Sequence, residues 1–173
     1  LLLEAVAEVA SVAGRVALRY FKSGLAVDTK GDGSPVTVAD RTAEEVARAW
    51  IAERFPGDAV LGEEYGASGD AGRRRWFIDP IDGTKTFVRG VPLWGTMIAV
   101  ALEDHVLAGA IYCPAVDELV AAAVGCGCWF NGARCNVSSV SSFEAATILV
   151  TDARFPYNPH RAARWDALGA RVA

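Results

Sequence analysis

The sequence of 173 residues lacks the features that mark several large classes of protein. The apolar stretch at its start contains Glu4 and, one turn later, Glu8, so it resembles an amphipathic helix and neither an export signal nor a membrane span. No basic arm is present: 17 basic and 21 acidic side chains give a net charge of -4, and the only dense basic cluster is Arg73–Arg75. We therefore expect a cytoplasmic protein that binds neither nucleic acid nor a membrane.

Soft metal ligands are also scarce in this sequence. It has four cysteines and two histidines, and Cys126 and Cys128 form a C-x-C pair instead of the C-x-x-C pair of zinc and redox sites. Neither histidine lies at zinc-ligand spacing. The cysteines are therefore predicted to be free thiols in a reducing compartment.

The residues that are present predict a folded α+β protein. Hydrophobic residues make up 52% of the chain, which is enough for a core without disulfides. Apolar residues at spacings of three and four predict helices over residues 1–22, from Asp40 to about Arg54, and over 159–172. Shorter apolar runs predict strands over 58–62, 75–78, 96–102, 106–112, 118–123, 128–130 and 145–151. This order of elements indicates a layered fold with a largely antiparallel sheet.

Carboxylates are concentrated where two of these apolar runs end. Glu63 and Glu64 follow the first run, and Asp79 and Asp82 follow the run that ends at residue 78. Pro80 stiffens the link between the two aspartates. Side chains at strand ends lie at the mouth of a sheet, and magnesium prefers a few carboxylate oxygens combined with water and substrate phosphate. Each acid alone could be an ordinary turn residue, but the repeated pattern favours a metal site.

The segment after these acids has the character of a phosphate-binding loop. Gly83, Thr84 and Lys85 are predicted to open a short helix, whose first N–H groups would face an anion. The Thr84 hydroxyl could orient a water molecule, with Asp40 as the carboxylate that assists it.

Three segments in this order resemble the inositol monophosphatase-like metal-dependent phosphatases. WFIDPIDGTKTF is similar to the signature of the family, GEEYG to its upstream metal-binding segment, and SPVTVAD to its threonine–aspartate element. The resemblance covers essentially the whole chain. It implies a layered α-β-α-β-α fold, a homodimer and hydrolysis of a small phosphorylated metabolite with two or three magnesium ions.

The resemblance also implies the metal ligands. Glu63 and Asp79 would bind the first ion together with the Ile81 carbonyl oxygen, and Asp79 and Asp82 would bind the second. Glu63 is also counted among the catalytic groups, whereas Glu64 is a neighbouring acid.

The remaining roles that the resemblance implies concern phosphate and water. Gly83 and Thr84 would contact the phosphate, and Thr84 with Asp40 would activate the attacking water. Lys85 and Arg89 are candidate substrate contacts.

Within the family, GTKTFVRGVPLWGTMIAV is most similar to the bacterial histidinol-phosphate phosphatases, although Thr86 replaces the expected Asn or Ser. Histidinol phosphate, a precursor in histidine biosynthesis, is therefore the first predicted substrate. Inositol monophosphate and other sugar or nucleotide phosphates are the alternatives. Arg89 and Trp94 could equally anchor the loop structurally.

The resemblance breaks down near the end of the chain. The family has a last metal ligand in a Trp-Asp pair, but Trp165-Asp166 lies in an amphipathic helical segment and follows Asp82 too closely. We expect residues 1–140 to form the metal-binding domain and 141–173 to begin a truncated second domain. We further expect natural residues before Leu1 and after Ala173, and weak or no activity from this chain alone.

Three other classes of protein are alternatives to a phosphatase of this family. Haloacid-dehalogenase phosphatases separate their two aspartates by one residue, whereas two residues separate Asp79 from Asp82. Calcium loops have alternating acids and a terminal glutamate, which this sequence does not have. A regulatory module that kept the fold and lost the chemistry is the non-enzymatic alternative.

Overall fold

Helices α1 and α2 and an eight-stranded sheet form most of the Leu1–Cys135 part of the protein. A computed structural model describes residues 1–24, 26–29, 31, 35–70, 74–149 and 159–171. It contains two compact units, Leu1–Cys135 and Asn136–Ala173. The helices are α1 (Leu2–Leu18), α2 (Val38–Arg54), α3 (Thr84–Val88), a 3₁₀ turn (Phe143–Ala145) and α4 (Pro159–Gly169). The first strands are β1 (Asp28–Thr29), β2 (Pro35–Val36), β3 (Ala59–Gly62), β4 (Gly66–Ser68) and β5 (Arg75–Asp82). The later strands are β6 (Gly95–Leu102), β7 (His105–Cys113), β8 (Glu118–Ala123), β9 (Gly127–Phe130) and β10 (Ala133–Cys135).

The large sheet is antiparallel with one exception. Its strand order is β10-β9-β8-β7-β6-β5-β3-β4, and β1 and β2 form a separate two-stranded sheet. Among the described strands of the large sheet, only β3 and β5 run parallel. The chain reverses direction from β3 to β4 and reverses again before β5, so β5 has the direction of β3. The predicted α+β fold with a largely antiparallel sheet is therefore confirmed.

Small residues let the two long helices lie close to the sheet and to each other. Ala10 and Ala13 of α1 and Ala43 and Ala47 of α2 are fully buried. A methyl group added at Gly14 would lie 2.6 Å from the Tyr112 ring, so this contact requires glycine. Burial of these apolar surfaces is the main force that holds the layer together.

The opposite face of the sheet is open in the Leu1–Cys135 unit. Phe77, Ile111 and Val120 are each more than a third exposed. They line an apolar groove of ≈ 860 Å³ that runs from β3 to β8. Glu63 and Asp79 lie at its edge.

Several predicted boundaries are wrong by a few residues. Helix α1 ends at Leu18, and turns lead from there to Gly24. Helix α2 begins at Val38, two residues before the predicted start at Asp40, because Thr37 occupies the N-cap position. Helix α4 ends at Gly169, and residue 172 of the predicted helix lies outside the described residues.

The predicted strand over 145–151 is also wrong where the structure describes it. Residues Phe143–Ala145 form a 3₁₀ turn and residues 146–149 have no regular structure, while residues 150 and 151 lie outside the described part. These residues are largely exposed, so the apolar run has no sheet to join. Strands β4 and β10, of three residues each, were not predicted.

The boundary between the two compact units falls between Cys135 and Asn136. That residues 141–173 begin a further domain stays a prediction. In the parts of the chain that the structure describes, no helix combines the length and apolarity of a membrane span.

Candidate metal centre

A bulge at the end of β5 directs two aspartates to the same side of the sheet. Asp79 pairs with Met97 and Asp82 pairs with Gly95, so two residues of β5 lie opposite one residue of β6. Side chains three positions apart on a regular strand point to opposite faces, and the extra residue of a bulge reverses this. Pro80 and Ile81 are accordingly both buried, while Asp82 is exposed on the open side.

The bulge is held by a buried hydroxyl group. Thr96 is fully buried, and its Oγ1 donates a hydrogen bond of 2.8 Å to the carbonyl oxygen of Pro80. Pro80 has no N–H group to leave unpaired, which makes it suitable for a position where the ladder is interrupted.

The parallel pairing of β3 and β5 adds Glu63 to the two aspartates. Parallel strands end at the same edge of a sheet, and Gly62 of β3 pairs with Ile78 of β5. The Glu63 N–H donates a hydrogen bond of 3.1 Å to the Ile78 carbonyl oxygen. The carboxyl group of Glu63 is hydrogen-bonded to that of Asp79. The structure thus places the carboxyl groups of Glu63 and Asp79 in contact and the charge of Asp82 close enough to act on Asp79. That these three residues bind metal stays a prediction.

The environment of Asp79 disfavours its ionised form. The pKa of the Asp79 carboxyl group is raised to about 7, chiefly by burial and then by the negative charge and hydrogen bond of Glu63 and by the charge of Asp82. Oδ1 of Asp79 is buried and has no hydrogen-bond donor among the described residues. A cation placed against this oxygen would relieve both the repulsion and the missing contact.

The donor set fits a hard divalent cation. Carboxylate oxygens of Glu63, Asp79 and Asp82 and the carbonyl oxygen of Ile81 are the ligands that Mg²⁺ prefers, with water completing its octahedron. No three His, Cys, Asp or Glu side chains of the described residues form a preassembled cation cage.

The predicted phosphate loop follows directly. Gly83 is the N-cap of α3 and has a φ of 90°, a conformation that favours glycine. The Thr84 hydroxyl donates to the Ile81 carbonyl oxygen at 3.1 Å. The substitution at Thr86 has a structural explanation, since its hydroxyl donates to the Gly83 carbonyl oxygen and contacts the Leu93 carbonyl oxygen, which closes the loop.

The candidate substrate residues in α3 and directly after it are exposed. Lys85 and Arg89 both face solvent, and Arg89 Nη1 donates to the Lys85 carbonyl oxygen at 3.1 Å. Trp94 is buried instead, with ring centroids 4.8 Å from Phe87 and 5.6 Å from Phe21. Its packing indicates an anchor for the loop.

Asp40 is buried at the start of α2 and forms a capping box. Its carboxylate accepts hydrogen bonds from the Thr37 N–H at 2.8 Å and from the Thr37 hydroxyl at 2.7 Å. Helix α3, which begins with Thr84, lies beside β2, and β2 ends four residues before Asp40 in the chain. The joint action of Thr84 and Asp40 on a water molecule stays a prediction.

One buried carboxylate was missed by the sequence analysis. Glu44, which was not among the candidate residues, is 0% exposed and accepts hydrogen bonds from the backbone of the turn that carries Glu63. The signal was its spacing: Asp40, Glu44 and Arg48 recur every fourth residue along a face that otherwise contains buried alanines.

Comparison with known proteins agrees with this geometry. Residues 2–163 match the model of the inositol monophosphatase family. The chain belongs to this family.

The curated relatives include several phosphatases. The chain is 42% identical over 158 residues to a histidinol-phosphatase of Chlorobaculum parvum, which covers 91% of the chain and 61% of the relative. It is 44% identical over 137 residues to a histidinol-phosphatase of Mycobacterium tuberculosis, covering 76% of the chain and 52% of the relative. An inositol-1-monophosphatase of Mesorhizobium japonicum is 39% identical over 140 residues, covering 79% and 53%. The chain therefore spans about 52–61% of the length of these relatives.

Solved structures show the same fold. The extragenic suppressor protein suhB of Bartonella henselae superposes with a TM-score of 0.87 at 30% identity, covering 99% of this chain and 68% of that one. An inositol monophosphatase of Zymomonas mobilis gives a TM-score of 0.79 at 29% identity, covering 98% and 65%. The inositol monophosphatase fold is thus shown for this chain.

Proposed function

We propose that the protein is a magnesium-dependent phosphatase that hydrolyses histidinol phosphate to histidinol and inorganic phosphate. The observation that carries this proposal is the position of Asp79, which lies between Glu63 and Asp82 with a buried oxygen that has no donor among the described residues. Family membership supports the reaction class, and two histidinol-phosphatase relatives support the substrate.

The chain's own groups divide the work as follows. Glu63, Asp79, Asp82 and the Ile81 carbonyl oxygen would hold two or three ions. Bound Mg²⁺ supplies positive charge that lowers the pKa of water and offsets the charge that develops on phosphate.

The residues around α3 would handle water and phosphate. Thr84, with Asp40, would orient the water that attacks phosphorus from the side opposite to the leaving alcohol. Gly83 allows the close approach of the loop backbone to the phosphate, and the exposed cations Lys85 and Arg89 attract the anionic substrate.

The location, oligomeric state and pathway of the protein are also part of the proposal. We place the protein in the cytoplasm, as a homodimer in histidine biosynthesis. The alternative substrate is inositol 1-phosphate. The similarity to the inositol-1-monophosphatase of Mesorhizobium japonicum supports this alternative.

The metal part of the proposal can be tested on the 173-residue chain directly. Electron paramagnetic resonance of free Mn²⁺ gives the number and affinity of bound ions, with Mg²⁺ as competitor. Asp79→Asn should abolish binding. Asp104→Asn, which removes the same charge in the exposed turn at the far end of β6, should leave it unchanged. Unchanged binding in Asp79→Asn would contradict the site.

The substrate part needs a comparison of esters. Phosphate release by the full-length protein from histidinol phosphate, inositol 1-phosphate and a sugar phosphate is measured with Mg²⁺ and with EDTA. We expect Mg²⁺-dependent release that is greatest for histidinol phosphate. Faster release from inositol 1-phosphate would transfer the proposal to the alternative substrate, and release that persists in EDTA would contradict it.

A further inference from the structure

Glu44 is a buried carboxylate that the proposed chemistry does not use. It lies on α2, is 0% exposed, and points at the turn between β3 and β4. A buried carboxylate is costly to place in a protein unless hydrogen bonds and a counter-charge compensate it. Its partners therefore indicate what it stabilises.

Two of these partners are backbone N–H groups of the turn that carries Glu63. Glu44 Oε2 accepts a hydrogen bond of 2.7 Å from the Glu64 N–H, and Oε1 accepts one of 3.2 Å from the Tyr65 N–H. These two residues directly follow Glu63 in the chain. The carboxylate thus binds the backbone on the far side of Glu63, while the Ile78 carbonyl oxygen binds the N–H of Glu63 itself at 3.1 Å.

Arg48 completes the attachment of the helix to the turn. Its Nε donates 2.7 Å to Glu44 Oε1, one helical turn away. Its other nitrogens donate to the Ser68 hydroxyl at 2.9 Å and to the Gly66 carbonyl oxygen. The guanidinium group therefore bridges the buried carboxylate and strand β4, which a lysine could not do with the same geometry.

The Glu44 side chain lies so close to the backbone of Gly62 that no side chain fits there. A Cβ atom built on Gly62 would lie 1.9 Å from Glu44 Oε1 and 2.2 Å from its carboxyl carbon. Any larger residue would displace the carboxylate and break its hydrogen bonds. The glycine before Glu63 is thus explained by the side chain of Glu44, which occupies the space beside it.

We infer that Glu44, backed by Arg48, is a positioning residue that fixes the β3–β4 turn and so aims the Glu63 carboxylate at Asp79. The inference rests on the proposed function only for its consequence on metal binding. Groups that orient metal ligands from behind typically affect metal affinity about 10–100-fold when they are removed.

Amide hydrogen exchange tests the attachment without any metal. In Glu44→Gln, one oxygen acceptor is replaced by an NH₂ donor, so exchange at the Glu64 and Tyr65 amides should accelerate at least about tenfold. The Glu63 amide is an internal control because its acceptor is Ile78, and its exchange should change little. Unchanged exchange at Glu64 and Tyr65 would overturn the inference.

Mn²⁺ titration tests the consequence. Glu44→Gln should weaken Mn²⁺ binding about 10–100-fold. The control Glu45→Gln, an exposed neighbour that accepts a hydrogen bond from the Tyr65 hydroxyl and not from the backbone of residues 64 and 65, should bind like the wild type. If the wild type binds no Mn²⁺, the proposed function fails while the exchange result still decides the attachment. If Glu44→Gln binds with wild-type affinity, the positioning role is wrong although the metal site stands.

Two further variants protect the test against a folding failure of Glu44→Gln. Arg48→Lys keeps the charge but loses the bridging geometry, so it should accelerate exchange at the same two amides to a smaller extent. Gly62→Ala should reproduce the exchange pattern of Glu44→Gln, and the two changes combined should have less than the product of their separate effects. Independent, multiplicative effects would contradict a shared contact.

Discussion

At the scale of single residues, Asp79 combines a function with a cost in stability. Its pKa is raised from the usual value of 3.8 to about 7, chiefly by burial and then by Glu63. At pH values between these two pKa values, the folded chain binds more protons than the unfolded chain. The free energy of unfolding therefore falls as pH rises from about 4 to about 7 in the absence of a cation. The candidate metal ligands thus make the metal-free protein less stable than it could be.

This leads to a stability prediction for Asp79→Asn in EDTA. Asparagine stays neutral, so the variant should match the wild type near pH 4 and exceed its free energy of unfolding by about 1–2 kcal/mol at pH 8, a value reduced for the partial exposure of this half-buried group. Urea denaturation at several pH values measures the difference. Asp104→Asn should show no such trend. A variant that is less stable than the wild type at pH 8 would mean that ionised Asp79 is structurally required.

At the scale of elements, the bulge in β5 is the device on which the convergence of the acids depends. Thr96→Val keeps the volume of the buried side chain but removes the hydrogen bond to the Pro80 carbonyl oxygen. We expect a loss of about 1–3 kcal/mol in the free energy of unfolding. We also expect weaker Mn²⁺ binding, because the bulge no longer fixes Asp82 relative to Asp79.

Thr96→Ser separates the two effects of this substitution. It keeps the hydroxyl group and loses only a buried methyl group, so its stability should fall by about 1 kcal/mol while Mn²⁺ affinity stays at the wild-type level. Wild-type Mn²⁺ affinity in Thr96→Val would show that the bulge is held by other contacts.

The same elements show what could be predicted from the sequence. Periodicity located α1, α2 and the long strands because their apolar residues face one common core. It missed β4 and β10, since three residues are too few to show an alternation. It wrongly predicted a strand at 145–151 because apolar content alone does not show whether a neighbouring strand is available for pairing.

The candidate site was also predictable only in part from the sequence. The acids could be found because they come directly after apolar runs of the sequence, and the resemblance gave them roles. The bulge could not be predicted, since it depends on Thr96 in the next strand. Nor could the use of Glu44, because its partners are backbone groups 20 residues further along the chain.

At the scale of the whole molecule, the large sheet of the Leu1–Cys135 unit is covered unequally. Helices α1 and α2 bury one face, whereas the groove of ≈ 860 Å³ on the other is apolar and open. Exposed apolar surface of this kind binds hydrophobic probes and favours association. The described side chains that line it include Phe77, Ile111 and Val120.

This predicts that the folded chain binds the dye 8-anilinonaphthalene-1-sulfonate through the groove. Ile111→Thr should lower the dye fluorescence at least about twofold, because Ile111 lines the groove and is 47% exposed. Val106→Thr is the matched control: it lies on the same strand and is 63% exposed, but it does not line the groove. Both variants keep a β-branched residue, so strand β7 should persist, which far-ultraviolet circular dichroism can verify. Equal fluorescence in the two variants would show that the dye binds elsewhere and that the open face of the sheet is not an accessible apolar surface in solution.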